Sequence, residues 1–481
     1  MNPRRAGLAA LLATLLAGCA SSEGLTTHAT PAEPAGLAAT RSFAGVPVAQ
    51  DALPADQWWK ALGDPQLDGL VAEALASSPS LRLARARVNR ALALAESAGA
   101  ALRPQVAASV DSSRQRISEH YIFPPPLAGS WNWQNQALLN FSYEFDFWGR
   151  NGAAQAAALG QAKAAEADAR AAALVLASAV GLAYVQLSRT FDQLDLARAL
   201  LQQREQQLML VRERLAAGLD SRVELKQAEG TPPESRQRVA QLEETLALSR
   251  HQLAALLGMG PDRGEEIARP ALRPQAQLAL PSQLPADLLG RRPDVVASRW
   301  RVEAAARDVD SARAEFYPNV NLIAFVGLQA LGWSQFLNAG SRVLGAGPAL
   351  RLPVFDAGRL RGNLGAKNAD YDAAVEQYNQ SLADGLRDVA DQVEAWRSIE
   401  RQDGEVAEGL AAVQAAYDLA LARYRAGLSS YLPVLAAEGQ LIAQQGLAAE
   451  LRARRVEAAI GLSRALGGGY SAEGSEHAAA R

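Results

Sequence analysis

The sequence predicts a mainly α fold with a small β part, built twice along one chain. Three observations point there. Moving residues 79–106 forward at one constant offset lays Pro79, Arg85, Arg87, Ser97, Ala98 and Pro104 onto Pro293, Arg299, Arg301, Ser311, Ala312 and Pro318. Further on, Arg214, Gly218 and Leu219 meet Arg423, Gly427 and Leu428, and Leu257-Gly258 meets Leu466-Gly467. Long proline-free stretches carry apolar residues at heptad spacing, and four short stretches alternate apolar with polar residues. A tandem duplication favours two like halves around a pseudo-symmetry axis, so function is sought in a shared surface or lumen before a single cleft.

In chain order, Arg4 and Arg5 precede an apolar run from Ala6 to Ala17 that is too short to span a membrane, so residues 1–18 read as a secretory signal. The end of that run, Leu16-Ala17-Gly18-Cys19, resembles a bacterial lipobox. The resemblance implies that Cys19 is lipidated and becomes the mature N-terminus. Ala20, in place of the aspartate associated with inner-membrane retention, implies the outer membrane. Cys19 is the one cysteine, which excludes an intrachain disulfide and a cysteine-rich metal site. A net charge of −3 without a basic block argues against nucleic acid as a partner. Residues 19–57, rich in Ala, Pro, Ser and Thr, suit an extended tether.

The first repeat is expected over 58–258. Phe141, Tyr143, Phe145 and Phe147 alternate with polar residues, which predicts a strand over 135–147, with a partner over 105–114. The connection from Arg114 to Gln134 carries Trp131 and Trp133. A long hairpin follows over 153–257. Leu187, Leu194, Leu201, Leu208 and Leu215 fall seven apart, and a helix of about 65 residues is roughly 100 Å long. Gly218 is a natural helix-ending residue before the return helix. Pro232-Pro233 in that return helix predicts a kink or break, a proline costing about 3 kcal/mol inside a helix. Residues 259–284 form a linker. The second repeat, 285–467, repeats the plan with strands over 319–328 and 344–355, the latter weakened by Pro348, and a hairpin over 360–466 turning at Gly427. Residues 468–481 form a tail. Four strands cannot close a membrane barrel alone, because an open edge in lipid leaves backbone groups unpaired, whereas three copies supply twelve.

Together with the lipobox and the duplicated plan, the stretch Leu288-Leu289-Gly290-Arg291-Arg292-Pro293-Asp294-Val295, the Phe316-Tyr317-Pro318 before a strand, and Arg423-Tyr424-Arg425-Ala426-Gly427 at a hairpin tip resemble the TolC/OprM/NodT family of outer-membrane efflux ducts. The resemblance covers essentially all of the chain after the tether. It implies a homotrimer with a twelve-stranded outer-membrane β-barrel and a twelve-helix periplasmic α-barrel. Such a duct is joined by a periplasmic adaptor to an inner-membrane pump, here of the RND type, and conducts small molecules passively. The family closes at its periplasmic hairpin tips, Gly218 and Gly427 in this chain. Counted from those glycines, Glu224 matches an acidic latch residue, Tyr424 a latch tyrosine and Leu432 an apolar constriction. Pro433 and Ala436 stand where some relatives ring the pore with aspartates.

Catalysis finds no foothold. His28, His120, His251 and His477 are scattered and show no metal-ligand spacing, and Gly467-Gly468-Gly469 reads as a helix stop rather than a phosphate loop, so no cofactor or metal is expected. Two other readings remain at this point: the exit duct of a type I protein-secretion system, and a lipid-anchored periplasmic coiled-coil scaffold without a barrel.

Overall fold

The structure is a computed structural model and describes residues 22–33, 36–37, 39, 41–47, 54–120, 122–273 and 291–470. Cys19, Leu288 to Gly290, His477 and the predicted ends of linker and tail lie outside the described residues. Helices α1 (Pro65–Ser77) and α2 (Pro79–Gly99) lead into strands β1 (Gln105–Arg116) and β2 (Trp131–Phe145), then α3 (Arg150–Ala216) and α4 (Arg222–Leu256). After a single helical turn at Asp262–Glu265, α5 (Pro293–Ala314), β3 (Asn319–Leu331), β4 (Arg342–Arg351), α6 (Arg359–Arg425) and α7 (Leu432–Ala465) repeat the order. Helices α3 and α6 are each 67 residues long, which at 1.5 Å per residue is about 100 Å.

The chain divides into two compact units. One holds residues 1–31, 87–165 and 298–378, with all four strands; the other holds 32–86, 166–297 and 379–481, with both helical turns. In the strand-bearing unit the antiparallel order is β1-β2-β3-β4, so β1 and β4 each pair on one side only among the described residues. The register separates two faces. One carries Val106, Val110, Ala137, Leu139, Phe141, Leu322, Val326, Leu344 and Leu350, and several of these are more than half exposed. The other is largely polar, with Asp111, Gln136 and Gln329 in one row and Glu144 beside Asn321. Trp131, Trp133 and Trp333 mark one end of the sheet, and Tyr143, Phe145 and Phe147 the other. Aromatic girdles at both edges of an apolar band are the pattern of an outer-membrane strand. The 15-residue β2 extends about 45 Å, enough to cross roughly 30 Å of hydrocarbon when tilted.

Three expectations need correction. Strand β2 begins at Trp131, not 135, because Arg114 and Arg116 of a longer β1 pair with Trp133 and Trp131; the tryptophans belong to the ladder and the connection shrinks to 117–130. It ends at Phe145, since Asp146 turns to accept the N–H groups of Asn151 at 3.1 Å and Gly152 at 2.7 Å and so starts α3. Strand β4 spans Arg342–Arg351, stopping before Pro353; Pro348 is accommodated opposite Leu322 on this outer strand. Of the kink or break expected in α4, the break is absent: the helix continues through Pro232 and Pro233. The Ala228 carbonyl, deprived of its usual donor by Pro232, accepts the Thr231 hydroxyl at 3.2 Å, and Arg204 of α3 donates to the Thr231 carbonyl at 3.2 Å.

The helical-turn unit has its main core where Trp58, Leu67, Leu70 and Val71 pack on Tyr184, Leu187 and Leu194 of α3 and on Leu253, Val456 and Ile460. The heptad leucines 187 and 194 are thus buried as their spacing predicts. The described part of the N-terminal segment carries turns at 23–24 and 41–45 and is hydrogen-bonded to α6. Asp372 accepts the N–H groups of His28 and Ala29 at 2.9 Å each; Asn379 accepts that of Ala32 at 2.7 Å; Arg397 donates to the Ser42 carbonyl at 3.0 Å.

Candidate gate at the hairpin tips

The two hairpins turn alike. Gly218, at φ +73°, donates its N–H to the Leu215 carbonyl at 3.0 Å, and Leu219 donates to Arg214 at 2.8 Å. Gly427, at φ +76°, donates to Tyr424 at 2.9 Å, and Leu428 to Arg423 at 2.9 Å. These paired bonds satisfy carbonyls that a helix end leaves open, in a left-handed conformation that costs other residues roughly 1–2 kcal/mol.

The return helices start differently. Ser221 caps α4: its hydroxyl accepts from the Val223 N–H at 3.1 Å, and the Glu224 carboxylate accepts from the Ser221 N–H at 2.9 Å. The Ser221 hydroxyl also donates to that carboxylate, and this bond first, then those from the backbone N–H groups of Glu224 and Ser221, hold the Glu224 carboxyl below the usual carboxylate range. Helix α7 has Tyr431 at its N-cap with no side-chain cap, and Pro433 in its first turn, where a missing N–H leaves no helical bond unmade.

Tyr431 points inward instead. It is fully buried, its ring centroid 5.3 Å from that of Tyr424, and its hydroxyl donates to Gln207 Oε1 at 2.7 Å. Gln207 Nε2 donates to the Tyr417 hydroxyl at 2.9 Å. Tyr424, also fully buried, donates to Asp220 at 2.6 Å, while Arg214 pairs with the same carboxylate at 3.1 Å and lies 4.5 Å over the Tyr424 ring. Burial, reinforced by the Asp220 bond, pushes the Tyr424 hydroxyl well above its ordinary value of 10, so it remains a donor. About two turns further from the tip, Glu438 is 1% exposed and accepts from Gln203 at 3.0 Å and Arg204 at 3.2 Å. Arg204 also donates to Glu234 and Ser235 of α4, at 3.0 Å each. These groups tie α3, α4, α6 and α7 together through donor–acceptor pairs that can part and re-form.

Of the residues singled out in the sequence, Gly218, Gly427 and Tyr424 fall in this cluster. Leu432 opens α7 and is 60% exposed, as Leu219, Val223 and Leu428 also are to a similar degree. Glu224 is exposed and bonded to Ser221; the acid on Tyr424 is Asp220. Sequence reasoning passed over Arg214, Asp220, Tyr431 and Glu438. One signal was present for Glu438: it directly follows the apolar run Val434-Leu435-Ala436-Ala437 and lies one helical turn before Leu441. Among the described residues no group of three or more His, Cys, Asp or Glu side chains could hold a metal ion.

A sheet with one apolar face, two unclosed edges and two long helical hairpins defines the protomer of a membrane duct. The sequence profile of the outer membrane efflux protein family matches residues 70–259 and 284–468. The chain is 46% identical over 319 residues to the fusaric acid resistance protein FusA of Burkholderia cepacia, covering 66% of this chain and 60% of that protein. It is 33% identical over 433 residues to the multidrug resistance outer membrane protein MdtP of Escherichia coli K12, covering 88% of each. The structure of the outer membrane protein VceC from Vibrio cholerae matches with a TM-score of 0.82 at 36% identity, over 87% of this chain and 100% of that one. The chain belongs to the outer membrane efflux protein family, and it is an outer-membrane efflux channel rather than an enzyme. Channels of this family act as trimers with an adaptor and an inner-membrane pump.

Proposed function

We propose that three copies of this chain, each lipid-anchored through Cys19, form the exit duct for small molecules such as drugs or toxic compounds delivered by an RND-type pump. The observation that carries this reading is the four-stranded sheet. Its continuous apolar face demands lipid, and its free edges at β1 and β4 demand further copies. The names of FusA and MdtP, fusaric acid resistance and multidrug resistance, support small organic compounds as cargo.

The gate lies at the hairpin tips. The Tyr424–Asp220–Arg214 cluster holds the two hairpins of one chain together, Glu224 and Tyr424 latch neighbouring helices, and Leu432 with the exposed apolar residues around it narrows the pore. Opening separates the hairpins about Gly218 and Gly427.

Cells lacking the chain should accumulate amphipathic dyes, and the wild-type gene should restore their export. A chain with Glu224→Cys and Tyr424→Cys, joined by a disulfide, should keep its trimer abundance and lose export. Full export by the cross-linked protein removes the latch, and failure of the wild-type gene to rescue removes the duct. Capturing the assembled complex identifies the pump; one carrying an ATP-binding domain would remove the RND assignment.

A further inference from the structure

The face of the sheet opposite the lipid side is polar at both ends, and in its middle rows polar residues of β1 and β2 alternate with Leu138, Ile323, Phe325 and Val343. Reading across the strands from the tryptophan end, Asp111, Gln136 and Gln329 form one row and Ser109, Leu138, Gly327 and Val343 the next. Then come Ala107, Asn140, Phe325 and Gly345, followed by Gln105, Ser142, Ile323 and Gly347; Glu144, Asn321 and Ala349 complete the series. A hydrogen bond from Asn140 Nδ2 to Ser109 Oγ at 3.2 Å shows these residues sharing one face. Leu138, Ile323, Phe325 and Val343 therefore interrupt the alternation that a water-filled barrel interior calls for. They also explain why β3 reads as an almost unbroken apolar run from Leu322 to Leu328.

Phe325 is 38% exposed, and the far edge of its ring reaches over Gly345: a Cβ built on that glycine would sit 2.7 Å from the ring's Cζ and 2.8 Å from Cε1. Gly345 is the one position on β4 whose missing side chain lets the ring lie against the wall. Any larger residue there must push the ring away from the sheet, into the space the barrel encloses. Both Phe325 and Gly345 lie within the sheet of one chain, so each of three copies presents the same pair at the same height.

We infer that Phe325, folded onto Gly345 and flanked by Leu138, Ile323 and Val343, forms an apolar collar that sets the bore of the β-barrel lumen, and with it the size of compound that can leave. This rests on the duct reading. It places a size filter in the outer membrane.

The test reads the bore from outside the cell and is independent of the state of the gate at the hairpin tips. Asn321→Cys, one row to the inner side of the collar, is exposed in intact cells to maleimide-polyethylene glycol reagents of increasing mass. A chain without that substitution is the control for Cys19. The mass cut-off for labelling should rise when Phe325→Ala is added and fall when Gly345→Val is added. The double variant Phe325→Ala/Gly345→Val should return to or above the wild-type cut-off, because Gly345→Val acts through the ring. An unchanged cut-off in Phe325→Ala, or a lowered one that persists in the double variant, overturns the collar. Leu337→Cys, in the β3–β4 connection and 85% exposed, reports surface access. If Leu337→Cys is labelled while Asn321→Cys resists even the smallest reagent, the lumen itself is refuted rather than the collar. Val326→Cys, on the apolar face, should stay unlabelled throughout.

Discussion

The two hairpin tips descend from one repeat and have diverged in complementary directions. The first contributes Arg204, Gln207, Arg214 and Asp220, charged or amide groups able to donate or accept. The second contributes Tyr417, Tyr424 and Tyr431, which fill space and carry one hydroxyl each. Glu229 and Glu438 occupy equivalent positions. Glu229 bonds to Lys226 at the surface, whereas Glu438 is buried against Arg204 and Gln203. Capping diverged as well, with a reciprocal Ser221–Glu224 box in the first and none at Tyr431. The two copies now present unlike surfaces that meet in a specific polar seam. Such a seam can be opened without unfolding either hairpin.

The largest effect should come from removing an acid of the seam. Asp220→Ala leaves Arg214 buried without its carboxylate and Tyr424 without an acceptor, a cost of about 3 kcal/mol or more. Single-channel recording in planar bilayers should show several-fold higher resting conductance, while the trimer persists. Glu438→Ala should destabilise by a similar amount, seen as a lower Tm of the helical unit. The equivalent Glu229→Ala should leave Tm nearly unchanged, because its partners are solvated. Equal effects of the two would dissolve the contrast between the hairpins.

Smaller tests sharpen it. Tyr431→Phe strands Gln207 Oε1 and should cost about 1 kcal/mol in thermal unfolding, with packing intact. Ser221→Ala should cost about 1 kcal/mol through the lost cap, whereas Ser430→Ala in the second hairpin, where no side-chain cap exists, should be neutral. The smallest effect is acid loosening of the α4 cap. Because the folded Glu224 carboxyl is held below its ordinary value of 4.5, its contribution is complete above that pH and is lost as pH falls through the lowered folded value. Amide exchange at Ser221, whose N–H the carboxylate accepts, should speed up in that window and not in Glu224→Gln, whose cap no longer titrates.

Much of this was legible in the sequence because it rests on local rules. Period two marked the strands, heptads placed Leu187 and Leu194 in the core, and Gly218 and Gly427 announced the turns through a conformation that disfavours other residues. The strand ends were less legible: Trp131 belongs to β2 because Arg116 pairs with it, and pairing is not written in either segment alone. The seam was the least legible part. Arg214 and Asp220 flank one turn, but Tyr424 lies 204 residues beyond Asp220 and reaches it only through the packing of two hairpins, so no local pattern marks Asp220 as the acceptor of the tyrosine. In α4, Thr231 beside Pro232 offered a local remedy that a proline rule alone overlooks.

The central claim, that three chains close one duct, is tested most directly by native mass spectrometry of the protein extracted in mild detergent from separated outer membranes. The account predicts a species of three lipid-bearing chains and no stable monomer. A monomer or dimer as the folded species in that fraction would leave β1 and β4 unpaired in lipid and would contradict it.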